Sequence, residues 1–429
     1  MTRQILFAIT LLVTLGVFGY TLSRLIAFFR LTRPFPLTNW PRRFAIMMKV
    51  AIGQSRIFRF PFVGAAHALV FWGFIVITLG SIEMVIDGLS GLDRSMAFTG
   101  LFYDIVMASG DIMAYVIMLS MLIFIGRRTL IHVKRFYGAE MLRKSKLDAI
   151  IALLIIFFLM VSLAGINLAT VQLQGGNAPG IYPVSSLLAP VLFSAQSQPV
   201  LLHEISWWTH ILLIFLFANI LPYSKHFHVF TSVPNVLLSR LEPLGYLPNM
   251  DNVTREVRLM LNPETAFAAP SEADGPPQRF GVKDVEDVSW KNYLDSLACT
   301  ECGRCTSVCP ANITGKKLSP RKIFVDLRAR MKEKGPLLAK NAGFDDGKSL
   351  IRDYISTEEL WACTTCNACA RECPISINHP TLIMDMRRYL VMEEAAAPAS
   401  LNAMFTNIEN NGAPWQYPPD DRMKWADLL

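Results

Sequence analysis

Hydrophobic and polar positions divide this chain into two halves. In the first, long apolar blocks alternate with short basic ones, and five blocks, residues 5–29, 61–86, 100–125, 147–169 and 205–222, match the roughly 20 helical residues a bilayer crossing needs. The first block is longer than a signal-peptide core and has no small-residue cleavage site before Arg30, so we expect it to remain as a span. From residue 234 the composition turns to Pro, Asn, Asp and Glu, and residues 268–277 have the composition of an exposed linker. Beyond it the pattern is short and amphipathic. Apolar positions four apart predict a helix over 288–298, and Ser319-Pro320 is an N-cap and first-turn proline opening 321–332. Ser356-Thr-Glu-Glu359 is a capping box, and Pro380 opens a last helix through Met384, Met386, Tyr389 and Leu390. The predicted fold is all-α: a five-helix transmembrane bundle (residues 1–233), a linker (234–281), a small helical domain (282–396) and a tail (397–429). The tail's aromatics and prolines without a core suggest partner docking.

Composition agrees with this division. Hydrophobic residues make up 52% of the chain and charged ones 17%, too apolar for an ordinary soluble enzyme. The net charge of +7 does not point to nucleic acid, because the basic residues sit between spans. Arg30, Arg33, Arg42, Arg43, Lys49, Arg56 and Arg59 follow the first span; Arg127, Arg128, Lys134, Arg135, Arg143, Lys144 and Lys146 follow the third. Residues 171–203 contain no Asp, Glu, Lys or Arg, and the connection after Ile86 has only Asp87, Asp93 and Arg94. The positive-inside rule then puts the N-terminus outside and everything after the last span in the cytoplasm of a bacterial or archaeal cell. No G-x-G-x-x-G after a strand and no P-loop occurs, so a nucleotide cofactor in this chain is not expected.

The chemistry is concentrated in two runs, Cys299-Thr-Glu-Cys302-Gly-Arg-Cys305-Thr-Ser-Val-Cys309-Pro310 and Cys363-Thr-Thr-Cys366-Asn-Ala-Cys369-Ala-Arg-Glu-Cys373-Pro374, which use all eight cysteines. Each is C-x2-C-x2-C-x3-C-P, in which three thiolates hold one iron–sulfur cube and the fourth reaches the other. Two [4Fe–4S] clusters are therefore predicted, one on Cys299, Cys302, Cys305 and Cys373, the other on Cys363, Cys366, Cys369 and Cys309. Zinc would take its ligands in separated pairs, and disulfides at such spacing would be strained. Arg304 and Arg371 inside the runs are expected to be surface charges.

Histidines in apolar spans are costly and usually have a partner or a metal. His67 lies in the second span; the fifth carries Trp207-Trp208-Thr-His210 and, at its end, Lys225-His226-Phe-His228. Two histidines on facing helices can ligate a b-type haem axially. At 1.5 Å per residue, His67 is roughly 9 Å from the inner face, and His210 is roughly 27 Å further out than His228 along a continuous helix. His67 can thus meet His228 or His226 but hardly His210, for which an interfacial or quinone-pocket role is expected. His203 is expected in a loop and His132 in the solvated basic connection. Trp207 and Trp208 suit the outer headgroup level, and Glu83 is expected to handle protons for a quinone or to face outer water.

Five spans, histidines eighteen apart near the last, and Tyr223-Ser-Lys-His-Phe-His-Val-Phe-Thr-Ser-Val-Pro234 resemble the cytochrome b (gamma) subunit of respiratory nitrate reductase. That resemblance implies two haems between the second and fifth spans, with His67 and His228 as the inner pair and His210 as one outer ligand. The outer partner would fall about ten residues after His67, where this chain has Ile77, so one haem is expected here. The whole order of membrane domain, two-cluster domain and Pro-Trp tail resembles membrane iron–sulfur oxidoreductases related to heterodisulfide reductase and to electron-transferring-flavoprotein:menaquinone oxidoreductase. The resemblance implies a respiratory electron-transfer subunit linking a CCG-domain Fe–S partner, fed by an electron-transferring flavoprotein or another flavoprotein, to haem b and menaquinone or another quinone. Quinol oxidation driving disulfide reduction, or a redox sensor or assembly anchor, are the competing readings.

Overall fold

The computed structural model describes residues 1–138, 140–193, 198–266, 279–416 and 418–428; the Pro270–Pro277 stretch expected as a linker lies outside them. Described residues are helical apart from turns and two isolated bridges. Helices α1 (Thr2–Phe29), α3 (Pro61–Ser90), α4 (Leu101–Thr129), α5 (Arg143–Gln174) and α7 (Pro199–Ile220) are the five long apolar ones, and α2 (Trp40–Met47) and α6 (Pro183–Leu192) lie in the connections. The spans run beyond their apolar blocks because hydropathy marks the lipid-facing length and not the helix. At 1.5 Å per residue α5 is about 48 Å long against a hydrocarbon core of about 30 Å, so its first turns stand clear of the lipid. Glycines allow close approach: a Cβ on Gly88 would meet the Phe7 ring at 2.7 Å, and one on Gly165 would meet Ser206 Oγ at 2.4 Å.

The last span ends differently from expectation. Helix α7 stops at Ile220, two short 3-10 turns follow at Leu221–Tyr223 and Lys225–Phe227, and α8 (His228–Leu237) starts afresh. Pro222 lacks the N–H that would continue the ladder, and Ser224 Oγ accepts from the N–H of His226. The supposed linker is also partly ordered, since α8 runs past Pro234 and is followed by α9 (Asp251–Leu261) and α10 (Pro263–Ala266).

The second half folds as α11 (Trp290–Ala298), α12 (Arg304–Ser307), α13 (Pro310–Ile313), α14 (Pro320–Leu338), α15 (Thr357–Trp361), α16 (Ala368–Glu372) and α17 (His379–Met392), with an exposed α18 (Ala399–Asn411) after it. The Ser356–Glu359 capping box forms. Ser319 precedes α14 as expected but does not cap it; its hydroxyl donates to Glu140 at 2.6 Å. The core of this half joins Phe324, Leu327, Met331, Leu382 and Met386 to Leu25 and Phe28 of α1 and Phe227 beside α8. The two halves therefore share one apolar core and are not merely tethered.

Two buried polar features hold this domain. Arg330, with no exposed surface, donates to both carboxylate oxygens of Asp284 and of Asp346 and to the Lys348 carbonyl. Arg330→Met leaves the buried Asp284 with Lys334 as its remaining cation beside the Val285 N–H, and should cost about 3–5 kcal/mol in thermal unfolding. His379 packs edge-on to Phe324 at 5.2 Å, and burial lowers its pKa to about 3. Its folded pKa lies below the unfolded value, so its contribution is present above about pH 6.5 and falls by about 1.4 kcal/mol per unit as pH drops toward 3. Melts of His379→Leu should show a correspondingly flatter acid limb.

Candidate functional site

The two cysteine runs fold alike. Glu301 and Thr365, each second in the first gap, have φ of 56° and 53°, while Gly303 and Asn367, each first in the second gap, have φ of 72° and 60°. This left-handed alternation curls each loop so that its first three thiols face one side, and the fourth leaves with the following proline. Gly303 is needed for packing as well, because a Cβ there would sit 2.4 Å from the Arg135 carbonyl oxygen.

The thiols stand in two sets. Charges on Cys299 and Cys302 act on both Cys305 and Cys373. Those on Cys363 and Cys366 act on both Cys309 and Cys369. Each fourth cysteine has thus joined the other run. Cys309, Cys363, Cys366 and Cys369 line one cavity, closed by Pro310, Leu318, Pro320 and Ile383. Burial pushes Cys299 up to about 11 and Cys369 up to about 12, and also raises Cys305, Cys309 and Cys373, with the neighbouring thiols adding repulsion. Such thiols become thiolates only around strong positive charge, which the irons of a cluster supply. Backbone N–H groups of Thr365 and Ile377 point at Cys363 and Cys373 Sγ at 3.4 Å. The donor set fits two cubes.

The two sets differ in surroundings. Cys366 is exposed, whereas the loop bearing Cys299, Cys302 and Cys305 is pressed against the helical bundle. Arg56 donates to the Cys373 carbonyl at 2.8 Å, Arg304 donates to the Arg56 carbonyl at 2.9 Å and stacks 4.6 Å over Phe60, and Arg321 donates to the Arg135 carbonyl at 2.7 Å. Glu301 accepts from Ser145 and Arg328 and pairs with Lys225 at 3.5 Å. Arg304, expected on the surface, is therefore buried in the seam, while Arg371 is exposed as expected. Basic residues that the sequence explains by topology alone, Arg56 and Arg135 among them, also serve as docking contacts. Only side-chain placement reveals this. Arg304→Ala should retain both clusters yet lower stability by about 1.5–3 kcal/mol, read by thermal unfolding.

A charge on His228 would act on His67, and so would that of Arg304, which precedes Cys305. His228 Nδ1 donates to the Lys225 carbonyl at 3.2 Å, leaving Nε2 free, the posture of a metal-ligating imidazole. His67 Nδ1 is buried without a partner. His226 is occupied by Ser224 Oγ at 3.0 Å and Asp148 at 3.8 Å. His67 and His228 are the two that could hold a group between α3 and α8, and Lys225, whose carbonyl fixes His228, pairs with Glu301 of the cysteine loop.

At the other end of the bundle, His210 Nδ1 is held by the Leu159 carbonyl at 2.9 Å and Ser162 Oγ at 3.0 Å, far from this pair. His203 lies within α7 and not in a loop, because the helix begins at Pro199. Trp207 is packed against Phe7 in the interior, and Glu83 is buried and not facing water. All four border one cavity between α3, α4, α5 and α7. His132 is exposed and stacks on Tyr137.

The 4Fe-4S dicluster domain family matches residues 298–377, which contain both cysteine runs. The chain is 30% identical to the EtfAB:quinone oxidoreductase of Syntrophomonas wolfei over 88% of its own length and 53% of that protein. It is 28% identical to the probable iron-sulfur-binding oxidoreductase FadF of Bacillus subtilis, over 99% of this chain and 61% of that one. One component of the ferredoxin/F(420)H(2)-dependent CoB-CoM heterodisulfide reductase of Methanosarcina acetivorans is 35% identical over 24% of the chain and 52% of that component. The chain thus spans little more than half the length of the longer relatives. No solved structure matches it. The chain carries an iron–sulfur dicluster domain beside five membrane-length helices and is related to iron–sulfur oxidoreductases.

Proposed function

We propose that the chain is the membrane-anchored electron-transfer part of a quinone-linked oxidoreductase, with its redox centres in the order partner, exposed cluster site, buried cluster site, haem b site and quinone. One observation carries this order: the Cys299–Cys305 loop seals onto the bundle, Arg304 donating to the Arg56 carbonyl in the connection that leads into the His67-bearing helix α3, while the second set keeps Cys366 exposed. Two [4Fe–4S] clusters and one haem, when bound, supply one-electron carriers. The chain's own residues exclude water with Leu318, Ile383 and Phe324, aim N–H groups at cysteine sulfur, and fix His228 through the Lys225 carbonyl.

The favoured direction runs from a cytoplasmic flavoprotein, through a CCG-domain partner, toward menaquinone; the name of the Syntrophomonas relative supports it. The likeness to heterodisulfide reductase components supports the reverse, quinol oxidation driving disulfide reduction on the partner. Iron and haem quantification with reduced-minus-oxidised spectra should give two four-iron clusters and one b haem per chain; fewer clusters or no haem overturns the relay. In a titration, reduced flavoprotein plus partner should reduce the haem. Reduction by menaquinol alone favours the reverse direction.

A further inference from the structure

We propose that Arg127, Arg128, Arg135 and Arg304, gathered on two phenyl rings at the seam between the bundle and the first cysteine loop, hold the two propionate carboxylates of the porphyrin ligated by His67 and His228. This rests on the haem of the relay above and adds how that haem is seated. Phe136 carries Arg127 at 5.2 Å, Arg128 at 4.6 Å and Arg135 at 5.6 Å from its ring centre, and Phe60 carries Arg135 at 5.0 Å and Arg304 at 4.6 Å. Guanidinium faces rest on aromatic rings in this way while their edges keep N–H donors for an anion.

No protein anion fills that role. Among the described residues none of the four forms an ion pair, and Arg135 Nε is buried without a partner. Arg304 gives one N–H to the Arg56 carbonyl. The carboxylates whose charges act on Arg128 and Arg135 are engaged elsewhere: Glu301 pairs with Arg328 and Lys225, Asp148 accepts from the Lys225 N–H and stands 3.8 Å from His226, and Glu372 pairs with Arg59 at 2.8 Å. Like charges held together out of bulk water repel one another unless an anion lies among them. Burial, with the charges of Arg127 and Arg304, accordingly lowers the pKa of Arg135.

Position selects the anion. Phe60 is the N-cap of α3, and His67 follows it by seven residues, about 10 Å along the helix. Arg127 and Arg128 lie in the last turn of α4, Arg135 in the connection after it, and Arg304 in the cysteine loop. The charge of Arg304 acts on both His67 and Arg127. A b-type porphyrin bears two carboxylates on one edge, and a carboxylate accepts two parallel N–H bonds from a guanidinium. Seated in this way, that edge faces the first cysteine loop.

Two other anions are rivals. A phospholipid phosphate would have to reach Arg304, which is only 7% exposed in the seam. The thiolates of the first cluster act through Cys302 on Arg128 and Arg135, but Cys302 is not among the charges that bear on Arg127, which is left without an anion. Carboxylates on a porphyrin between the bundle helices answer both objections.

The test uses the purified full chain with its clusters loaded and its haem exchanged for haem dimethyl ester, in which both carboxylates are capped. The ester should bind about tenfold or more weakly than haem. The double variant Arg127→Gln with Arg135→Gln should weaken haem binding by a similar factor and lose most of the preference over the ester, because changes to the two sides of one contact are not additive. Arg127→Lys with Arg135→Lys should restore part of that preference. In redox titrations the glutamine variant should favour oxidised haem by about tenfold, or about 59 mV for one electron, with the cluster potentials unchanged. Equal binding of haem and ester by the unaltered chain, or an undiminished preference in the glutamine variant, overturns the proposal and leaves the relay standing. So does a shift confined to the cluster potentials, which assigns the arginines to the thiolates, or loss of copurifying anionic phospholipid with haem binding unchanged. A chain that takes up no haem strikes the relay and this proposal together.

Discussion

Cys373→Ala should remove half of the iron, and the half removed should belong to the other cysteine run. If each run held its own cluster, the substitution would empty the Cys363–Cys369 loop. In the structure Cys373 is instead under the influence of Cys299 and Cys302, and Cys309 under that of Cys363 and Cys366. Pairs of substitutions decide between these arrangements because changes within one unit are not additive. Adding Cys299→Ala to Cys373→Ala should remove no further iron; adding Cys363→Ala should remove nearly all of it. The opposite pattern would overturn the crossed arrangement. Cys373 also matters for docking, since its carbonyl receives Arg56, so the single variant should additionally lose thermal stability by about 1–3 kcal/mol. Cys309, with no such contact to the bundle, should show the same iron loss with less of that cost.

His67→Ala and His228→Ala should each abolish b-haem absorbance while leaving both clusters, and His210→Ala and His226→Ala should leave the haem in place. Four histidines near the spans thus divide into two that matter and two that do not. The division follows from position. His226 is held by Ser224 Oγ and Asp148 and His210 lies eighteen residues from His228 toward the other end of the last span, whereas a charge on His228 would act on His67. Electron delivery to quinone should then stop in the first two variants, although the clusters remain reducible by a soluble donor. A haem that persists in His67→Ala would overturn the assignment.

Part of this is legible in the amino-acid sequence alone. Cysteine spacing over a dozen residues is local, and so is the chemistry of the loops it forms; the αL positions at Gly303 and Asn367 repeat because the two runs repeat. The five apolar blocks and the Ser356–Glu359 capping box are local in the same sense, since bilayer length and first-turn hydrogen bonds are properties of contiguous residues.

The departures from expectation have a common origin. Arg304 is expected on the surface because charge within a loop normally faces water, yet the carbonyl of Arg56 and the ring of Phe60 give it a buried partner from a distant connection. Counting residues from block edges places His203 and Glu83 near outer water, and helices that outrun their apolar blocks move both into the wall of a cavity.

The sequence by itself determined which residues can hold iron, how many helices are membrane-sized and where the chain changes character, because these depend on neighbours within a few turns. Only the tertiary structure decided that the two halves share a core through Phe28 and Phe324, which cysteine set lies against the helical bundle, and that Glu83 and His210 border a common cavity. Those relations join residues remote along the chain. They arise from packing energy summed over many contacts, which no short stretch of sequence encodes.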